Sequence, residues 1–369
     1  MEFTLTDTQQ MLQDTARRLV RDRYGFEQRK AVVASAQGYS ADLWKEYAEL
    51  GLLGLEIGED HGGSGGSFED LAVVLEAFGR GLVVEPFLST VVLGAGLVSR
   101  AGSAAQQDAI LPKVAAGELK LALATGEPKA RYSLERIETG AKRDGDGYLL
   151  NGHKAVVLGA DSADLIITSA RSAQGVSLLL VPRDAKGVDV RTYPNIDDRR
   201  AAEVTFDNVR VGADALLGPE DGALPYLEAA IDRGAAAICC EALGTMTALN
   251  ELTLDYLKTR TQFGRPIGKF QVLQHRMADM VIAEQQARSM VHLAAESANL
   301  DDAKRRAQAI SAAKVQVGQS AQIVGRGAIQ LHGGIGLTME FVAGHYFRRL
   351  TAMEMMFGDQ AYHLKRFAA

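Results

Sequence analysis

The sequence predicts a multidomain α+β protein whose order is helices, then strands, then helices. Three observations carry that reading. Apolar residues recur at helical spacing through the first third of the chain. After Gly117 the texture changes to short β-branched or leucine-rich runs divided by turn residues. From about Leu224 helical spacing returns and persists to the end. A chain of 369 residues has room for two or three domains at about 100–200 residues each. The texture shifts place them at 1–117, 118–215 and 216–369.

The first helix begins at Thr6-Asp7-Thr8-Gln9, a capping-box pattern. Met11, Leu12, Ala16, Leu19 and Val20 then fall on one face. Ser40 caps a second helix through Trp44 and Tyr47 that Gly51 stops. A third runs from Ser67 to Gly79 with Leu71, Val74, Leu75 and Phe78 inward, and another helical stretch covers 88–116. Strands are expected at 120–124, 148–150, 155–158, 165–169, 177–181, 188–193 and 202–206, with turns at Asp144-Gly145 and Asn151-Gly152. No crossover helix separates them, so they form an all-β unit. Long helices at 224–258, 268–298, 303–331 and 340–366, joined by short loops, read as a four-helix bundle.

Composition excludes several function classes. With 47% hydrophobic and 23% charged residues, the chain folds and has material for a large core. A net charge of -6 argues against nucleic acid as a partner. Two cysteines exclude a disulfide framework. No apolar run approaches the ~20 residues of a membrane helix. The opening MEFTLTDTQQ lacks the basic and apolar regions of a signal peptide. The expectation is a cytoplasmic protein with no membrane association.

Most chemistry-bearing residues read as structural. Gly62 through Gly66 lacks the Lys-Ser/Thr of a phosphate loop and follows no strand, so it is a flexible loop. Cys239 and Cys240 are adjacent on a helix and point in different directions, which suits core packing. His275, His332, His345 and His363 lack metal-ligand spacing, so no metal is expected. Two segments differ. Arg260 through Met280 reads RTQFGRPIGKFQVLQHRMADM and joins two long helices through a basic, glycine-marked turn. Arg260 and Arg265 there suit an anion. Ile329 through Glu340 reads IQLHGGIGLTME, where glycines end a helix and let a ligand approach the backbone.

Together these segments resemble the acyl-CoA dehydrogenase family. GLLGLEIGEDHGGSGGSFEDLAVVLEAFGR (51–80), DGDGYLLNGHK (144–154) and the αβα order are also similar. The resemblance spans essentially the whole chain. It implies an N-terminal helical domain, a middle β-barrel and a C-terminal four-helix bundle, assembled as a dimer or tetramer. It implies FAD as cofactor, an acyl-CoA as substrate and trans-2-enoyl-CoA as product. The usual electron acceptor is an electron-transferring flavoprotein. Carried over, Arg260, Gln262 and Phe263 hold pyrophosphate and adenine. Gln330, Leu331 and Gly334 touch the same half of FAD from the neighbouring subunit. Guanidinium and glycine backbone suit a diphosphate.

The flavin-ring side departs from the family pattern. The usual A-L-T-E-P-G-A-G-S-D is replaced by Ala122 through Ser133 with Arg131-Tyr132 where Gly-Ser belongs. The Trp-Ile-Ser/Thr run that packs on the flavin reads Val156-Val157-Leu158. Backbone N–H groups at Thr125 and Gly126 remain to meet the ring.

The family's proton-abstracting glutamate is also missing. Its usual late position is Phe357, and its alternative position on the first bundle helix is Gly234. Glu241 lies two turns further along that helix, about 10 Å away at ~1.5 Å per residue. Asp359 is the nearest remaining carboxylate and is weighed against a helix-cap role. The Phe357 N–H, which in the family holds the thioester carbonyl, is retained. In the family, chains lacking the glutamate occur in heteromers of a large and a small subunit that act on bulky or dicarboxylic acyl-CoAs. The small-subunit type of pimeloyl-CoA dehydrogenase is the nearest resemblance, through Phe357-Gly358-Asp359 followed by His363-Leu364. Two functions follow: an acyl-CoA dehydrogenase or its small subunit, or a catalytically silent chain completing the FAD site of a larger paralogue.

Overall fold

The computed structural model describes residues 5–369. The opening residues of the segment read as no signal peptide lie outside that range. The chain begins with helices α1 (Asp7–Arg23), α2 (Phe26–Ala34), α3 (Ala41–Glu49) and α4 (Phe68–Gly81). A π-helical stretch, Leu88–Ala95, leads into α5 (Gly96–Ala101) and α6 (Ala104–Ala115). Strands follow: β1 (Leu121–Ala124), β2 (Gly140–Asp144), β3 (Gly147–Leu158), β4 (Leu165–Arg171), β5 (Val176–Pro182), β6 (Val188–Pro194), β7 (Arg200–Val211) and β8 (Leu216–Leu217). The last part holds α7 (Leu224–Thr259), a two-stranded hairpin of β9 (Thr261–Gln262) and β10 (Arg265–Pro266), then α8 (Gln271–Ser297), α9 (Ala303–His332), α10 (Val342–Met355) and α11 (Gln360–Ala368).

These elements gather into two compact units. One holds the chain through Ala31, Phe68–Val83 and Ala235–Ala369. The other holds Val32–Ser67 and Val84–Gly234. The N-terminal third is therefore shared between the two units.

In the first unit, α1 starts as expected. Gln9 N–H donates to Thr6 Oγ1 at 3.2 Å, and Thr6 N–H donates to Gln9 Oε1 at 3.1 Å. The packing of α4 on α7 is set by two glycines. A Cβ at Gly79 would lie 2.0 Å from the Glu241 carbonyl oxygen, and one at Gly244 would lie 1.8 Å from that of Glu76. The backbones therefore touch. Thr245 Oγ1 adds hydrogen bonds to the carbonyls of Gly79 (3.1 Å) and Glu241 (2.9 Å). The single helix expected over 340–366 is broken. Phe357 and Gly358 adopt φ of 57° and 116°, which no helix continues through. Asp359 restarts the chain as the N-cap of α11.

In the second unit, Ser40 caps α3 by accepting from Leu43 N–H at 3.2 Å. The hydrogen-bonded path of the sheet is β6-β7-β3-β2-β4-β5-β8, with β1 joined to β4. β1 and β2 run parallel to β4, and the remaining pairs are antiparallel. Its core includes Tyr148, Leu150, Val157, Ile166, Val181, Val204 and Phe206. The Asp144-Gly145 signal marks the β2–β3 hairpin, where Asp144 pairs with Gly147. The expected turn at Asn151-Gly152 does not form. Those residues sit inside one long β3, where the register against β7 shifts between Leu150 and Gly152. An extra residue is absorbed as a bulge rather than a reversal. Strand β2 escaped the sequence reading because only Ala141 of its five residues is buried.

An ion pair fastens the end of β1 to β3. Lys154 Nζ donates to Glu127 Oε1 at 2.7 Å and to Ser169 Oγ at 3.1 Å. Glu127 also accepts from the N–H groups of Glu138 (2.6 Å) and Thr139 (3.0 Å). Burial pushes the Glu127 carboxyl up, but these donors outweigh it and hold it below its usual value. Burial brings Lys154 down to about 8 despite its partner.

Two outcomes are expected. Gly244→Ala forces α4 from α7 and lowers stability by about 1–3 kcal/mol or more, read as a lower unfolding temperature. Lys154→Met strands Glu127 and costs about 3–5 kcal/mol, whereas Lys154→Met with Glu127→Gln recovers most of the loss. Equal melting of both variants and the wild type contradicts the assignment.

Candidate active site

The basic turn is a tight hairpin at the end of α7. Arg260 N–H donates to Tyr256 O at 2.8 Å, and Arg260 O accepts from Ile267 N–H at 2.8 Å. β9 pairs with β10 through Gln262 and Arg265, leaving Phe263 and Gly264 as a two-residue loop. Both have positive φ, 55° and 76°, as a twisted two-residue turn requires. Glycine takes this without strain and phenylalanine does not. The Phe263 ring is 91% exposed. Arg265 stacks over Phe270 at 4.2 Å, and Phe263 meets Phe270 edge-on at 6.2 Å. Arg260 and Gln262 are exposed as well. The donor set is thus cationic, planar and amide-bearing, which fits a diphosphate and a purine.

The glycine segment lies at the same end of this unit. Gly333, with φ of 64°, ends α9. The Tyr256 ring lies 4.6 Å from His332, which lies 5.1 Å from Phe341. This stack ties the hairpin to the glycine loop. Gln330 and Gly334 are exposed, and nothing lies within 4 Å of a Cβ built at Gly333 or Gly334. Leu331 is different: its side chain is buried at 5% exposure, so only its backbone is left for a ligand. His332 Nδ1 donates to Ala328 O at 2.9 Å, and burial lowers its pKa.

The β unit carries the residues that the family resemblance assigns to the flavin ring. Thr125 and Gly126 follow β1 and are half-buried. Gly126 O accepts from Ala155 N–H at 2.8 Å, and a Cβ at Gly126 would lie 2.9 Å from Ala155 O. This pins the loop beside the Glu127–Lys154 pair. Val156 is exposed and has φ of 56°. A β-branched residue in that region is a strong outlier. It sits where the register of β3 shifts between Lys154 and Val157. Sequence reading found Val156 as a lost indole but not its backbone, because nothing in Val-Val-Leu signals positive φ.

The resemblance assigns the base to Gly234 or Phe357. Gly234 is buried in α7 beside Arg233, which pairs with Glu56. Phe357 is half-buried in the α10–α11 link. Asp359, the stand-in carboxylate, accepts from Tyr362 N–H at 2.8 Å as a helix cap. Glu241 is also engaged. Arg349 Nε donates to Glu241 Oε1 at 3.0 Å, and Nη2 donates to Oε2 at 2.8 Å. Their side chains are 3% and 5% exposed. Arg349 Nη1 reaches Met356 Sδ at 3.7 Å, next to Phe357. Sequence reading missed Arg349 because its partner is 108 residues away. Cys239 and Cys240 are buried thiols, and burial pushes Cys239 up to about 11. No helix among the described residues is long and apolar enough to cross a membrane.

Comparison with known proteins matches this geometry to a family. The N-terminal, middle and C-terminal domain models of acyl-CoA dehydrogenase match residues 6–118, 122–209 and 222–369. The probable acyl-CoA dehydrogenase YngJ of Bacillus subtilis is 30% identical over 96% of this chain and 95% of its own. The Tcur3481-Tcur3483 steroid ACAD variant superposes with a TM-score of 0.90 at 31% identity, covering 99% of this chain and 98% of that one. The ChsE4-ChsE5 complex from Mycobacterium tuberculosis gives a TM-score of 0.90 at 25% identity, over 100% and 98%. The chain belongs to the acyl-CoA dehydrogenase family.

Proposed function

We propose that this chain is a subunit of an FAD-dependent acyl-CoA dehydrogenase that holds cofactor and thioester but supplies no base. One observation supports this above the others. The base position is Phe357, Asp359 is a helix cap, and Glu241 is paired with Arg349. Phenylalanine accepts no proton. Loss of general-base catalysis typically costs ~10²–10⁴-fold.

The residues divide the work as follows. Arg260 and Gln262 bind the FAD diphosphate, and Phe263 packs on adenine. Gln330, the Leu331 backbone and Gly334 serve the same half of the cofactor across a subunit boundary. Thr125 and Gly126 offer backbone N–H groups to the flavin ring. The Phe357 N–H polarises the thioester carbonyl. Bound FAD supplies the acceptor for the hydride that leaves the β-carbon. A thioester held here has no acceptor for its α-proton, so both hydrogens are removed in the site of a larger acyl-CoA dehydrogenase chain of the hetero-oligomer, where that chain's own glutamate takes the proton. Two of the similar structures are named as paired chains, Tcur3481-Tcur3483 and ChsE4-ChsE5, which supports the heteromeric reading. The acyl group is bulky or dicarboxylic, with pimeloyl-CoA the dicarboxylic case, and electrons leave to an electron-transferring flavoprotein.

The test is an anaerobic absorption spectrum of the chain alone, before and after pimeloyl-CoA or a medium-chain acyl-CoA. The expected result is flavin that neither thioester bleaches at a catalytic rate. Phe357→Glu then raises the bleaching rate by about 10²–10⁴-fold. Rapid bleaching by the unaltered chain removes this reading. Arg260→Ala, an exposed change, lowers the FAD retained through gel filtration while leaving helical content intact. Full retention contradicts the diphosphate role.

A further inference from the structure

The α10–α11 link is more tightly held than a loop between two short helices requires. Phe357 and Gly358 both have positive φ, and an aromatic residue adopts that conformation only under constraint. Several buried groups supply it. His363, 1% exposed, lies with Nε2 3.0 Å from Phe357 O and Nδ1 3.2 Å from Ser311 Oγ. Lys314, one turn along α9 from Ser311, donates to Met353 O at 2.9 Å and Glu354 O at 3.4 Å, the last carbonyls of α10. Space around Gly358 is closed: a Cβ there would lie 2.4 Å from the Tyr362 ring and 2.6 Å from His363 Nε2. Arg349 Nη1 also reaches Met356 Sδ at 3.7 Å.

The tautomer of His363 follows from these partners. A carbonyl only accepts, so Nε2 carries the proton and donates to Phe357 O. Nδ1 is then an acceptor, and the Ser311 hydroxyl donates to it. Burial, with the Lys314 charge nearby, holds the imidazole down to about 4, so it is neutral at ordinary pH.

We propose that His363, oriented by Ser311 and assisted by Lys314, is a positioning residue that clamps the Phe357 carbonyl and so restrains the adjoining Met356–Phe357 amide, whose N–H binds the thioester carbonyl. The inference rests on the reading that the Phe357 N–H meets that carbonyl. The Phe357 N–H belongs to the preceding Met356–Phe357 peptide plane, which joins the clamped plane only through the φ and ψ of Phe357, so holding the carbonyl while Phe357 is kept at φ 57° limits the swing of that N–H as well. The clamp needs no charge and works in a chain without the glutamate.

The test uses the full chain with His363→Leu, which removes both bonds, and His363→Gln, whose amide reproduces the Nε2 donor. Ser311→Ala is a milder third variant should His363→Leu fold poorly. Hydrogen exchange is followed in the peptide spanning 356–360. Calorimetry compares octanoyl-CoA with S-octyl-CoA, the thioether that lacks the carbonyl. In His363→Leu, exchange is expected to accelerate about tenfold or more. Octanoyl-CoA affinity is expected to fall about fivefold while S-octyl-CoA affinity holds. His363→Gln restores both, and Ser311→Ala moves both in the same direction by less. Unchanged exchange in His363→Leu overturns the clamp. Faster exchange with equal losses for the two ligands overturns the positioning role. A wild-type chain that binds octanoyl-CoA no better than S-octyl-CoA overturns the reading of the thioester site itself, and the exchange data still judge the clamp.

Discussion

The contact on which much of the helical unit depends is the backbone crossing of α4 and α7. Two helices meet this closely only where side chains are absent, and Gly79 and Gly244 supply that absence on both sides. The residues they touch are Glu241 and Glu76. Both carry carboxylates into a buried region, so the crossing positions charge as well as mass. Glu241 takes Arg349 of α10, and Glu76 faces Arg288 of α8 at 3.4 Å. Helices α4, α7, α8 and α10 are thereby held through one pair of glycines. The α10–α11 link inherits its position from that arrangement, because Arg349 also contacts Met356.

The buried Arg349–Glu241 pair bears on chemistry as well as packing. Such a pair contributes little net stability against an apolar equivalent, but losing either member strands a charge. Its bidentate geometry pairs both charges in the buried interior. Glu241 therefore reads as a counter-ion. Both of its oxygens are occupied by the guanidinium, which leaves it turned to Arg349. The same reasoning disposes of Asp359. Its oxygen is engaged as the cap of α11, accepting from the Tyr362 N–H.

What the sequence made legible follows the range of the interactions. Capping boxes and helix stops are local, and Thr6, Ser40 and Gly333 all act as their neighbours suggest. The helix-strand-helix order follows from periodicity, which is also local. Misreadings arose where a local signal met a distant constraint. Asn151-Gly152 has turn chemistry, yet pairing with β7 on one side and β2 on the other carries the strand through it. The run 340–366 has helical spacing, yet His363 and Lys314 stabilise a break that costs the chain its continuous helix. The motif residues Arg260, Gln262 and Gln330 were legible because they cluster in short segments. The Arg349–Glu241 pair was not, because no pattern in one segment names a partner in another.

The two halves of the site differ in how they are built, and that difference argues for how the chain works. The side proposed for adenine is exposed. Phe263 keeps its ring in water from a turn that only glycine adopts freely, and the glycine loop at 333–334 leaves open space. Such features repay their cost when a planar ligand covers them. The side proposed for the thioester is the reverse, a short, partly buried link locked by His363 and Lys314, with Phe357 at the position proposed for the base. A self-sufficient dehydrogenase needs the second half to react as well as to hold. A subunit that completes a shared cofactor site needs the first half intact and the second half only rigid. The exposed aromatic turn and the locked, baseless link agree with the second design.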